Sequence, residues 1–129
     1  MGARSLNRVQ FSLERDVVRI FGSGIGAGAA NLTSIKGAGV ASVAQTATGK
    51  YTITLRDKWP GLLMFKGTVV DANATTDDWE VVVVEELVAT SKTVKIAVFK
   101  GGTLTDLTSD RKLLFEIVIQ NTSQLPRGY

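Results

Sequence analysis

The sequence predicts an all-β fold: a single β-sandwich or jelly-roll-like domain with an extended N-terminal arm. Three observations support this: apolar and polar residues alternate with a period of two, turn residues recur every 8–12 residues or so, and no long segment has helical periodicity. A chain of 129 residues is long enough to bury its own core. The predicted parts are an arm with a Gly-rich connection over 1–32, a sandwich domain over 33–123, and a tail over 124–129.

The predicted arm combines basic residues, short apolar runs and glycine. Val9–Leu13 fits an extended arm, and the β-branched residues of Val17–Phe21 favour a strand. Six of the 13 glycines lie in residues 22–39. Because a glycine-rich backbone is costly to order, this stretch is expected to be a flexible or partner-ordered connection.

Residues 40–55 predict a β-hairpin. Val40–Ala47 and Tyr51–Arg56 alternate with a period of two, and Thr48-Gly49-Lys50 between them is a short turn sequence. Pro60 and Gly61 then interrupt the pattern, because proline lacks the N–H that a central strand donates.

The second half predicts four further strands, which bring the total to about seven. The first, Leu62–Asp71, has an apolar face made of Leu63, Phe65, Gly67 and Val69. The next contains four consecutive valines, which disfavour a helix and suit a buried strand. This valine-rich strand is Trp79–Ala89, and the other two predicted strands are Lys92–Lys100 and Leu113–Ile119.

The composition argues against an enzyme. The chain has no Cys and no His, so zinc sites built on those residues, Ser-His-Asp triads and Cys-His pairs are excluded. Gly24–Ala29 resembles a phosphate-binding glycine motif, but no credible helix follows it. Glu85 and Glu86 are neighbours on a predicted strand and therefore point to opposite faces. We expect no catalytic residues, no cofactor and no metal.

The charge pattern argues against a specific nucleic-acid partner. The 15 basic and 12 acidic side chains give a net charge of +3, without the dense basic stripe of a nucleic-acid binder. A mildly basic arm suits a negatively charged partner surface. No apolar run approaches the length of a membrane span, and charges interrupt the N-terminus too often for a signal peptide. We expect the protein to be made and kept in the cytoplasm until it assembles.

Two stretches of the chain resemble small structural proteins of tailed bacteriophages. The first runs through Ile35–Val43 and Gly49–Leu63, with the segment Gly-Lys-Tyr-Thr-Ile-Thr-Leu-Arg-Asp-Lys-Trp-Pro-Gly-Leu-Leu at its centre. The second comprises Leu104–Leu107 and Leu114–Ser123. The resemblance covers roughly residues 33–123 and identifies the chain as similar to head decoration (cement) proteins.

The resemblance implies a non-enzymatic protein that binds the outside of a phage head and clamps neighbouring subunits of the major capsid protein, commonly as a homotrimer. It implies no catalytic residues. Arginine and aromatic residues are enriched at protein interfaces, so we predict interface roles for seven residues. The predicted interface residues are Arg4, Arg8, Phe11, Arg15, Trp59, Pro60 and Trp79.

Two alternatives remain open at this point. The first is another virion structural part, such as a head fibre, tail or head–tail joining subunit. The second is a carbohydrate- or cell-surface-binding module, in which aromatic side chains would form an exposed platform. The candidate platform residues are Tyr51, Trp59, Phe65 and Trp79.

Overall fold

The computed structural model describes residues 17–72 and 78–121, which form nine β-strands and no helix. The strands are β1 (Val17–Ile25), β2 (Thr33–Lys36), β3 (Val40–Ala47), β4 (Lys50–Leu55), β5 (Gly61–Asp71), β6 (Trp79–Leu87), β7 (Thr93–Lys100), β8 (Thr103–Leu104) and β9 (Arg111–Gln120).

The strands form two antiparallel sheets. Sheet A has the order β2-β1-β9-β5, and sheet B has the order β3-β4-β7-β6 with the short β8 beside β7. The two sheets pack face to face, which confirms the predicted all-β sandwich. All seven predicted strands are present, and the predicted hairpin is β3-β4.

The core lies between the sheets and consists of alternate residues from both. Ile53 on β4, Ile96 on β7 and Ile117 on β9 are fully buried, whereas their neighbours along each strand are more exposed or point outward. The buried positions carry mainly Val, Ile and Leu, which pack well on a pleated surface. The period of two in the sequence therefore reports the inward face of each strand.

The sandwich begins earlier than the boundary predicted at residue 33. Val17–Ile25 is a strand inside sheet A and pairs with β9 along its whole length. Two of the glycines predicted to form a connection are therefore strand residues that face the core. A side chain at Gly22 would collide with the ring of Phe115, and a Cβ at Gly24 would lie 2.8 Å from Ile35 Cδ1. These glycines serve close packing.

The inward face of β5 also differs from the prediction. A β-bulge between Leu62 and Met64 shifts the register against β9, so Leu62 and Phe65 face the core. Leu63, which was placed on the apolar face with Phe65, is exposed. An extra residue in one strand reverses the alternation beyond it, and the residues of this bulge, Leu62–Met64, include neither glycine nor proline.

One polar contact ties the loop between β8 and β9 to sheet B. Tyr51 on β4 is buried, and its hydroxyl oxygen accepts a hydrogen bond from Leu107 N–H at 2.8 Å. Next to it, Asp106 Oδ1 accepts a hydrogen bond from Gly49 N–H at 2.8 Å. The β3-β4 turn and the loop before β9 are therefore fixed to each other.

Candidate interaction surface

The described residues contain no group of three acidic side chains close enough to hold a metal ion. The feature that does stand out is an exposed apolar surface on the outer face of sheet A. Outward side chains from β1, β9 and β5 form rows across this face, because the strands are paired in register. One row contains Phe21, Glu116 and Lys66, and the next contains Ser23, Leu114 and Thr68.

Several large apolar side chains are open to solvent here. Phe21 is 62% exposed, Met64 49% and Leu114 38%. Val70 on β5 is 45% exposed and extends the surface toward the far end of the strand. We call Phe21, Leu114, Met64 and Val70 the sheet A patch. Several exposed apolar side chains on one face of a folded domain are typical of protein interaction sites.

A shallow depression of about 330 Å³ lies in the middle of this face. Phe21 and Leu114 form its apolar walls, and Lys66 and Glu116 lie at its polar side. Glu116 also forms an ion pair with Arg19, with 3.1 Å between Arg19 Nη1 and Glu116 Oε2. An apolar centre bordered by charges resembles the core and rim of a protein interface.

The sheet A patch is not among the interface residues predicted from the sequence. The signal was present in β9, where Leu114 and Val118 occupy the positions that alternate with the core residues. When a strand is buried on one face and faces solvent on the other, its solvent-facing positions typically carry polar residues. Apolar residues on both faces of β9 therefore indicate either a second buried face or an interaction surface.

Trp79, a predicted interface residue, packs against the core instead of standing in solvent. Its indole N–H donates a hydrogen bond to Asp71 Oδ2 at 3.1 Å. The Arg111 guanidinium lies 5.0 Å from the ring centroid, and Lys100 Nζ lies 5.6 Å from it. Trp79 thus joins β5, β6, β7 and β9 at one end of the sandwich.

The centre of this cluster is an almost completely buried ion pair. The distance between Arg111 Nε and Asp71 Oδ2 is 3.5 Å, which is an electrostatic contact without hydrogen-bond geometry. The two side chains are only 13% and 8% exposed. Such a pair is costly to break from one side, because the remaining charge is left buried. The cluster therefore has a structural role.

The other predicted interface residues fall in two groups. Trp59 is half-buried against the core, with its backbone N–H bonded to the Val88 carbonyl, whereas Pro60 beside it is exposed. The remaining four lie outside the described residues. They are Arg4, Arg8, Phe11 and Arg15.

The four candidate platform aromatics do not form an exposed platform. Tyr51 is buried, Phe65 stacks on Phe115 with 6.3 Å between ring centroids, and Trp59 and Trp79 pack against the core. A glycan platform needs ring faces that are open to solvent, and these four rings are turned inward. The described geometry thus favours interface formation through aliphatic residues and Phe21.

No protein-family model, curated protein sequence or solved structure matches this chain. The described part of the chain also contains no helix of the length and apolarity needed to cross a membrane.

Proposed function

We propose that this chain is a non-enzymatic structural protein of a tailed-bacteriophage virion: a decoration (cement) protein that binds the outside of the capsid. Its direct partner in this proposal is the major capsid protein. The protein is made in the cytoplasm of the bacterial host and ends up on the capsid exterior. It acts as a homotrimer, which matches the three-fold positions of an icosahedral shell.

The sheet A patch is the observation that carries this proposal. A rigid sheet that exposes Phe21, Met64 and Leu114 loses little conformational entropy when it docks, because its backbone is already fixed by neighbouring strands. Burial of such side chains stabilises a complex by roughly 25 cal/mol per Å² of apolar surface before the costs of association. The patch therefore suits a large, slow-dissociating partner such as a capsid shell.

The sequence resemblance over residues 33–123 gives the class of partner. Clamping follows from the geometry of decoration: a trimer that spans several capsid subunits adds buried surface only in the assembled shell. The linked contacts raise its apparent affinity well above that of a single site. No side-chain chemistry is needed for this role, which agrees with the composition of the chain.

Co-sedimentation tests the proposal. The purified full-length protein is mixed with expanded heads of the phage that encodes it, prepared without the protein. We expect saturable binding and an increase in the temperature at which the heads release DNA. A protein that stays in the supernatant at all concentrations, or that assembles into tails instead, would contradict capsid decoration.

A further inference from the structure

The free edge of sheet B is the second unusual surface of the molecule. β6 pairs with β7 on one side only, and no described strand covers its other side. The strand is regular over Trp79–Val83, and a β-bulge follows between Val83 and Glu85. The regular stretch presents a row of backbone N–H and C=O groups that can accept another strand. Val82 and Val84, near its centre, are exposed.

Acidic residues flank the valines of this edge. Asp78 and Glu80 precede them, and Glu85 and Glu86 follow, all exposed, with no basic residue between positions 78 and 87. Glu85 also forms an ion pair within its own copy, with 3.1 Å between its Oε1 and Lys95 Nζ on β7. If two copies of β6 paired antiparallel, the acidic ends would face each other, and directly opposed like charges destabilise a strand pair. The acidic charge of this edge therefore disfavours pairing between two copies of β6 and favours pairing with a basic strand.

The other sheet edges in the described structure are less suitable. The outer side of β3 is covered by Asn31 and Leu32, because Leu32 N–H donates to the Val43 carbonyl and Gln45 N–H donates to Asn31 Oδ1. β2 has only four residues. β5 carries Lys66 in its middle, a charge that would repel a basic strand.

The chain itself contains a segment with the complementary pattern. Residues 8–13, Arg-Val-Gln-Phe-Ser-Leu, alternate polar and apolar side chains without interruption. Arg4 and Arg8 lie at the N-terminal end, and the first acidic residue is Glu14. In antiparallel pairing with Gln10 opposite Val82, Val9 and Phe11 face Val83 and Val81. Arg8 then lies at the β-bulge that separates Val83 from Glu85, and Arg4 lies beyond Glu86.

The segment is too close to β1 to reach the β6 edge of its own copy. The chain from Leu13 to Val17 spans at most about 14 Å. The outer side of β6 is roughly 17 Å or more from the start of β1. Within sheet A, β5 lies two strand spacings from β1, and sheet B lies about 10 Å below sheet A. A strand added to the outer side of β6 lies a further strand spacing of about 5 Å away. The short connection to β1 does not prevent the segment from reaching the β6 edge of a neighbouring copy.

We infer that residues 8–13 of one copy add as an antiparallel strand to the β6 edge of a neighbouring copy. The contact is head-to-tail, because donor and acceptor are different parts of the chain. Such contacts close into a ring when the rotation between copies permits. Main-chain hydrogen bonds supply the affinity, and the acidic residues around Val81–Val84 select the basic donor. The contact does not depend on a capsid.

Disulfide trapping tests this strand exchange directly, since the chain has no cysteine of its own. The full-length variants Gln10→Cys/Val82→Cys and Ser12→Cys/Val82→Cys cover two neighbouring registers. Paired strand residues lie within the Cα separation that a disulfide accepts. After mild oxidation, we expect covalent dimers and larger species from at least one pair, at least ten-fold above the control. The control is Gln10→Cys/Thr68→Cys, because Thr68 is exposed on sheet A.

Only one pattern of cross-links supports the inference. Disulfides within single chains, cross-linking equal to that of the Thr68 control, or no cross-links from either pair would overturn it.

Charge reversal gives an independent readout in sedimentation velocity. Arg4→Glu/Arg8→Glu is expected to weaken self-association about ten-fold, and Glu85→Lys/Glu86→Lys to do the same. Combining all four substitutions in one chain is expected to restore self-association. Failure of this restoration would contradict the pairing of these charges. All of these measurements are made without capsids, so their outcome is separate from that of capsid binding.

Discussion

Tyr51→Phe removes a single oxygen from the interior and tests how the loop between β8 and β9 is held. The hydroxyl oxygen accepts the hydrogen bond of Leu107 N–H at 2.8 Å, and both residues are buried. Phenylalanine fills the same space, so the change leaves no cavity. It leaves the Leu107 N–H inside the protein without that acceptor.

The expected loss follows from this geometry. A buried backbone donor without its acceptor costs about 1–3 kcal/mol, whereas the ring contributes the same apolar contacts in both proteins. Since Leu107 is fully buried, water does not readily replace the lost acceptor. We therefore expect the free energy of unfolding to fall by about 2 kcal/mol. The measurement is urea denaturation of both proteins at pH 7, which gives the difference in the free energy of unfolding.

The pH dependence provides a second signature. Burial raises the pKa of Tyr51, an effect that the Leu107 hydrogen bond opposes and the charge of Asp106 reinforces. The unfolded tyrosine therefore ionises first, near pH 10, and the folded one at higher pH. Because the folded state then binds more protons than the unfolded state, the stability of the wild type falls as pH rises above 10. The Tyr51→Phe variant has no hydroxyl to ionise and lacks this loss. The difference in free energy of unfolding between the two proteins therefore becomes smaller as pH rises above 10.

Two results would refute this reasoning. A stability difference below about 0.5 kcal/mol at pH 7 would mean that the hydrogen bond does not hold the loop. A difference that stays constant between pH 9 and 11 would mean that Tyr51 does not ionise differently in the two states.

Three further substitutions test the packing of the sandwich by urea denaturation. Gly49→Ala and Gly102→Ala both place a side chain at positive φ, but only at Gly49 does the new Cβ meet backbone, 2.7 Å from Thr105 N. We expect a loss of about 1 kcal/mol at Gly102 and about 3 kcal/mol at Gly49, and equal losses would contradict the close approach. Arg111→Met removes the guanidinium beside the buried carboxylate of Asp71, so we expect a loss of about 3 kcal/mol. An unchanged midpoint would show that the pair contributes nothing.

The alternation of residues predicted the sandwich because it records which face of each strand is buried. Val94, Ile96 and Val98 alternate with less buried neighbours on β7, and this pattern fixed the strand and its inward face. The short strands β2 and β8 were not predicted, since four and two residues are too few to show a period. The prediction of a flexible connection is wrong at Gly22 and Gly24, because the space beside these glycines is filled by residues distant in the sequence.

The interaction surface was predicted less well than the fold. Residue type alone predicts interface roles for Trp59 and Trp79, but both pack against the core. Tryptophan serves either purpose, and only the three-dimensional structure distinguishes them. Phe21 and Leu114 are distant in the sequence and become neighbours through the pairing of β1 with β9. A patch assembled by strand pairing has no local sequence signature.

The most direct test of the central claim compares two outer faces in the same capsid-binding assay. Phe21→Thr/Leu114→Thr removes the centre of the sheet A patch and retains β-forming side chains at exposed positions. The matched control is Ser42→Ala, a small change at an exposed position on β3 of sheet B, away from both the sheet A patch and the β6 edge.

We predict that the double variant folds normally but binds capsids at least ten-fold more weakly in co-sedimentation, whereas the control binds like the wild type. Full capsid binding by the double variant would contradict docking through sheet A.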